Sequence, residues 1–228
     1  MNTDEPLSRF WVLESEFAQK IVSIVARDLA TCESALDGKE EFSNTSRELV
    51  QLLGQGLIPK AWIKYPIPAA YSAAQFIDDL QKRLEQNSRI IESQKTDAPI
   101  WLGGIFQLET FLMITRNASS IELGASLESL VLTCRPSAHG VSGFQLDNIK
   151  IQGALLKDGQ LVISESVRLA EFQQCALQWT QPNDKKGDVQ VPLYLNTDRT
   201  FAVCQFIFSS NCSFTNSDAL KSAVALFV

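Results

Sequence analysis

The stretch Pro99-Ile-Trp-Leu-Gly-Gly-Ile-Phe-Gln-Leu-Glu-Thr-Phe111-Leu-Met-Ile-Thr-Arg116 separates two halves of the chain with different hydrophobic periods. Pro99 and the pair Gly103-Gly104 stop any helix arriving from the N-terminal side. Beyond them Phe106, Leu108, Phe111, Leu112 and Ile114 suit a short buried helix. Two glycines beside Trp101 and Phe106 imply backbone passing close under large side chains.

Upstream of this stretch the period is helical. Phe10, Leu13, Phe17, Ile21, Ile24, Val25, Leu29, Cys32 and Leu36 recur at three-to-four spacing and predict one long helix over about Leu7 to Leu36. Asp4, Glu5 and Pro6 suit its start and Gly38 its end. At about 1.5 Å per residue it is roughly 45 Å long. Trp11, Ala18 and Val22 widen its apolar arc to about half the circumference, more than a one-sided surface helix requires. A second surface, from this chain or another, is expected to cover the excess. Asp28 lies near the middle of the arc and needs a partner or water.

Thr45-Ser-Arg-Glu48 is a capping-box pattern ahead of a second helix that ends at Gly54 or Gly56. Pro59, Pro66 and Pro68 then stiffen a connection carrying Trp62 and Tyr65. A third helix is predicted from about Ser72 to Glu92, with Phe76, Leu80 and Ile90 inward and Asp78, Lys82, Arg83 and Glu85 forming a solvated charged face. Thr96 to Pro99 reads as a loop.

Downstream, the period changes to alternation around Gly124. Leu130, Leu132 and Cys134 alternate with Val131 and Thr133, and Ile149 and Ile151 with Lys150 and Gln152. Asp158-Gly159 between two strand-like runs is the strongest hairpin signal. Further strands are predicted at Cys175 to Thr180, Val189 to Leu193 and Phe201 to Phe208, with a turn at Asn183 to Gly187. Pro192 should place its missing donor at an edge or an unpaired position. The apolar run Ala223 to Val228 is fit to close a sheet. The fold class is α+β: an N-terminal helical part with one long helix (residues 1–124), then a C-terminal antiparallel β-barrel or sandwich (125–228).

Composition narrows the function. Of 228 residues, 45% are apolar, and the formal net charge is −6 without a basic tract, which removes the electrostatic footprint of nucleic-acid binding and of polybasic membrane attachment. No apolar run reaches membrane-spanning length. Five scattered cysteines fit a reduced, cytosolic protein better than a disulfide framework. His139 is the single histidine, so no multi-histidine metal site is available. Gly140-Val-Ser142-Gly143 imitates a nucleophile elbow, but Phe144 replaces the last glycine and no helix follows. No phosphate-cradling loop with its lysine is present. Phe201, Phe206 and Phe208 could imitate a base-stacking strand, but core packing suits a negatively charged protein better.

Several segments in one order also carry a resemblance. Trp101-Leu-Gly-Gly-Ile-Phe106 with Phe111-Leu-Met-Ile-Thr-Arg116 resembles a segment near the end of dynein heavy chains, in the form of the cytoplasmic branch. Leu57-Ile-Pro59-Lys-Ala-Trp62-Ile-Lys-Tyr65 and Phe76-Ile-Asp-Asp79-Leu-Gln-Lys-Arg83 are similar to two earlier segments, although Phe76 stands where Trp is usual. Gly140-Val-Ser-Gly143, Ile151-Gln-Gly-Ala154 and Leu193-Tyr-Leu-Asn196-Thr-Asp-Arg199 follow, resembling the family's last barrel; the tail after Ser209 matches poorly.

The resemblance implies a non-catalytic C-terminal domain that braces an AAA ATPase ring and tunes processivity and force in a microtubule motor. It implies a cytoplasmic, microtubule-associated location. It places ATP and Mg sites upstream, with no cofactor here. The implied partners are AAA modules of the same heavy chain, and the intermediate, light intermediate and light chains of the complex; microtubules are reached through upstream parts, and neither nucleic acid nor membrane is implied. Trp11, Val22 and Asp28 then become candidate ring-facing residues. The alternatives are a free-standing ligand- or peptide-binding β-barrel domain sharing the fold, and an enzyme built around His139.

Overall fold

The structure, a computed structural model, describes residues 5–93, 99–136, 144–165, 168–172, 175–181, 188–208 and 212–228. The expected features at His139, Gly140 to Gly143, Asn183 to Gly187, and Thr96 with the residues up to 98, lie outside these, as do residues 209–211 at the start of the tail. The chain divides into two compact units, one over Ser8–Glu92 and one over Glu5–Leu7 with Ser93–Val228.

The first unit is helical. Helix α1 spans Pro6–Leu36, about 46 Å at 1.5 Å per residue. Pro6 opens it at the position where a missing N–H is harmless. Helix α2 spans Asn44–Gly54. Its cap is Ser43, whose side chain accepts from the Ser46 amide, so the helix starts earlier than the Thr45 capping pattern suggests. Helix α3 spans Ala73–Ser93 and buries Phe76, Leu80 and Ile90. Arg83 is a correction: it is buried with Asp79 and does not belong to the solvated face. The i, i+4 spacing puts that arginine beside an acid already turned inward, and pairing makes its burial tolerable.

The second unit opens on a 3-10 turn at Leu102–Gly104 and helix α4 at Leu108–Leu123, longer than a short buried helix. Ten strands follow among the described residues: β1 Val131–Pro136, β2 Phe144–Leu146, β3 Ile149–Gln152, β4 Ala154–Lys157, β5 Gln160–Ile163, β6 Ala170–Phe172, β7 Cys175–Thr180, β8 Val189–Tyr194, β9 Ala202–Phe208 and β10 Ala225–Phe227. Helix α5 (Asn216–Lys221) carries a capping box from Thr215 and Asp218. Eight strands form one curled half-barrel in the order β2-β7-β1-β9-β8-β10-β3-β6, while β4 and β5 pair separately.

The α+β class with a C-terminal sheet is therefore the observed one, but the sheet is mixed: β1 with β9 and β8 with β10 run parallel. Alternating burial along a strand does not encode its neighbour's direction, so this was not readable from the pattern. The Asp158-Gly159 hairpin is present, with Lys157 opposite Gln160 and both turn residues at positive φ, 50° and 77°.

Pro192 sits in the interior strand β8. The Gln190 amide donates away from β9, to Asn216 Oδ1 at 2.7 Å. By alternation the Pro192 nitrogen points the same way, ahead of Leu193, where β10 begins to pair. The final apolar run does close the sheet, since β10 lies between β8 and β3. Phe206 and Phe208 are fully buried and Phe201 is exposed, so the three make no common stacking face.

Candidate protein interaction surface

The residues singled out from sequence fall into three groups: members of a polar clasp in the helical unit, a close-packed junction in the sheet unit, and positions along α1. The clasp is organised by the turn Pro59–Tyr65. Trp62 is fully buried, and its indole N–H donates to Asp28 Oδ2 of α1 at 2.9 Å. The other oxygen of Asp28 accepts from the exposed Arg27 at 3.1 Å. Tyr65 donates its hydroxyl to Asp79 Oδ2 of α3 at 3.0 Å, and Arg83 Nε donates to the same oxygen at 2.7 Å. The guanidinium of Arg83 lies 4.4 Å from the centre of the Tyr65 ring. Phe76 packs against both aromatics, with ring centroids 5.9 Å from Trp62 and 5.5 Å from Tyr65. Burial first, and the Asp79 charge second, push the Tyr65 hydroxyl well above its ordinary range. Pro59 starts the turn, its carbonyl accepting from the Trp62 amide. Asp28 thus has the partner that its place on an apolar arc demanded.

In the sheet unit Gly103 and Gly104 are both buried, Trp101 and Phe106 half-buried. A Cβ on Gly103 would stand 2.7 Å from Trp101 Nε1 and 2.9 Å from the Val228 backbone. The expected close backbone passage is thus under Trp101 and the last residue. Arg116 donates to the Leu130 carbonyl at 3.1 Å and covers the Trp179 ring at 5.2 Å. Trp179 in turn donates to Thr115 Oγ1 at 3.0 Å. Arg199, at φ 59°, donates to Gln152 Oε1 at 2.7 Å and to the Ala223 carbonyl at 2.9 Å. That arginine joins two of the resembling segments, Ile151-Gln-Gly-Ala154 and Leu193 to Arg199. Sequence reasoning did not single it out as a site residue; its place seven residues after Pro192 in a polar turn gave no period to read.

Along α1 the placement differs from the expectation for the ring-facing residues. Trp11 and Asp28 are buried, at 2% and 7% exposure, and only Val22 stays half-exposed. An apolar arc shows which residues can be buried without saying which part of the arc is used first. The apolar residues left outward on this helix are Val12, Leu13, Leu29 and Leu36, at 39%, 49%, 39% and 65% exposure.

Chemistry for a reaction is sparse. Among the described residues no cluster of three or more His, Cys, Asp or Glu side chains could hold a metal ion, and no helix is long and apolar enough to cross a membrane. All five cysteines are free thiols, and Cys32, Cys134 and Cys175 are buried. Burial pushes Cys204 up to about 12; burial, with Asp188 adding to it, pushes Cys212 up to about 11. Thiols held protonated in this way are poor nucleophiles.

The resembling segments therefore occupy packing and clasp positions in both units. The family model for the C-terminal domain of dynein heavy chains matches residues 1–228. The cytoplasmic dynein heavy chain of Dictyostelium discoideum is 28% identical over 97% of this chain. Those of Drosophila melanogaster and Caenorhabditis elegans are 26% and 28% identical over 87% and 91% of it. The chain spans only 4–5% of the length of these relatives. Ciliary dynein β chains, such as that of Heliocidaris crassispina, match 53% of the chain at 22% identity. A match over every residue, with the helical and sheet segments in family order, means that this chain belongs to the family of C-terminal domains of dynein heavy chains.

Proposed function

We propose that this domain is a regulatory and structural brace, without catalysis of its own, for the ATPase ring of a cytoplasmic dynein motor. In this reading ATP and Mg bind in upstream parts of the same heavy chain, and microtubules are reached through other upstream parts. Intermediate, light intermediate and light chains share the complex. The setting is the cytoplasm, on microtubules.

The observation that carries the reading is α1: a helix of 31 residues with leucines outward along it. Leu13 and Leu36 lie about 35 Å apart along its axis, at 1.5 Å per residue. A rigid rod with apolar contacts that far apart can touch more than one module at once. Its contact free energy then depends on how those modules are placed, and any such dependence shifts the ring's conformational equilibrium. That mechanism needs no catalytic group.

Deleting the domain from a whole motor is expected to change velocity or stall force, while the purified domain shows no ATP hydrolysis. A motor that keeps both quantities after the deletion overturns the brace. Hydrolysis by the purified domain overturns its non-catalytic character.

A further inference from the structure

In the C-terminal half of α1 burial runs against hydrophobicity. Asp28 is inside while Leu29 is outside, and Ala35 is inside while Leu36 is outside. Leu29 lies about five turns beyond Trp11 on the same line along the helix, and Leu36 stands likewise to Ala18. Trp11 and Ala18 are buried, at 2% and 0% exposure, whereas the two leucines on that line are exposed. A modest turn of this half of the helix would bring Val22, Leu29 and Leu36 inward beside Val25, and would carry Asp28 towards water. The apolar effect alone favours that turn.

What opposes it is the buried bond from the Trp62 indole to Asp28. Trp62 is fixed by its own burial and by Phe76. If the helix turned, the indole N–H would lose its acceptor inside the protein, where no water replaces it. A single buried polar group can fix helix register in this way at a cost in apolar burial.

We propose that Asp28, held by Trp62, sets the rotation of the C-terminal half of α1 and so keeps Val22, Leu29 and Leu36 on the surface. These three residues are seven apart, the spacing that a second helix lying alongside reads as one seam. The occupant is a helix of the same polypeptide outside residues 1–228, consistent with relatives in which the matching segment is 4–5% of the chain. This last clause rests on the brace reading. The rotation does not, and it is measured on the domain by itself.

The test uses the 228-residue chain with labelled Leu, Val and Ile methyl groups and a neutral, soluble paramagnetic chelate. In the wild type, Leu29 and Leu36 methyls are expected to relax strongly and Val25 methyls weakly. In Asp28→Lys, whose side chain offers Trp62 no acceptor and must itself reach water, the relaxation of Leu29 is expected to fall to the level of Val25. Trp62→Phe, which keeps a buried ring and removes the donor, should move Leu29 the same way, and it decides the matter if Asp28→Lys does not fold. Wild-type protection of Leu29, or a folded variant with Leu29 still exposed, overturns the proposal. Neither result touches the motor deletion experiment, so failure of the pin and failure of the brace are separable.

Discussion

The two units solve the problem of register by different means. In the helical unit the interior of every helix satisfies its own backbone, so apart from the Ala73 amide donating to the Gly56 carbonyl at 2.8 Å little in the main chain says where one helix should lie along another. That information comes from side chains: Trp62 on Asp28, and Tyr65 with Arg83 on Asp79. In the sheet unit the backbone ladder does this work, as in the six paired positions of β1 with β7. Side-chain polar groups then act where the ladder runs out, as Arg199 does at the Ala223 carbonyl ahead of β10. The helical unit therefore concentrates its specificity in a few buried charges, and the sheet unit spreads it over many amides.

The sharpest way to break this contrast is Asp79→Ala. It removes the carboxylate oxygen to which the buried Arg83 and the Tyr65 hydroxyl both donate. The expected loss is about 3–5 kcal/mol of unfolding free energy, the range for stranding one partner of a buried ion pair. Chemical denaturation checks it. A loss below about 1 kcal/mol, as for an exposed pair, would mean that the clasp does not hold the unit.

The sheet unit should be sensitive to single residues where space is missing. Gly103→Ala puts a methyl group 2.7 Å from Trp101 Nε1 and 2.9 Å from the Val228 backbone. Trp101 can move, but the backbone yields less, so about 1–3 kcal/mol is expected, as for other overpacked sites. Arg199→Ala removes two hydrogen bonds at a half-exposed position. About 1 kcal/mol is expected, visible as faster amide exchange at Leu226 and Phe227 with β1 and β7 unchanged. Exchange that rises equally in every strand would instead show that the arginine, like the helical clasp, holds its whole unit.

The same contrast explains what the sequence let one read. The long helix was legible because nine apolar residues keep one period over Leu7 to Leu36 and Pro6 opens it. The α+β division was legible because the period changes around Gly124. Hairpin chemistry at Asp158-Gly159 is local and needed no tertiary context. Strand direction and order were not legible, because β1/β9 and β8/β10 pair across long stretches of sequence that no local pattern encodes. The rotation of α1 was not legible either. An arc covering half the helix permits several settings, and the choice is made by Trp62, a residue 34 positions from Asp28. For the same reason Trp11 and Asp28, candidates for a ring-facing position, lie buried, while Leu29 and Leu36 of the same apolar stripe lie outward. Arg83 was placed with the charged face because charge alone cannot show that a partner four residues away is already buried.

The smallest effect separates the units by pH. Burial, and then the Asp79 charge, hold the Tyr65 hydroxyl above its ordinary value of 10.0, with Arg83 opposing. A group whose folded value is raised contributes stability that is complete below the unfolded value and fades as pH climbs towards the folded one. The window therefore opens near pH 10, and stability falls above it. Tyr65 is expected to ionise above pH 10 in an alkaline titration followed by phenolate absorbance, and Tyr65→Phe should remove that step. As the step proceeds, a phenolate beside the Asp79 carboxylate repels it. Amide protection in α3 should then fall before protection in β1 and β7, whose register depends on no phenol. Simultaneous loss in α3 and in those strands would show that the sheet, too, is held by a titrating side chain.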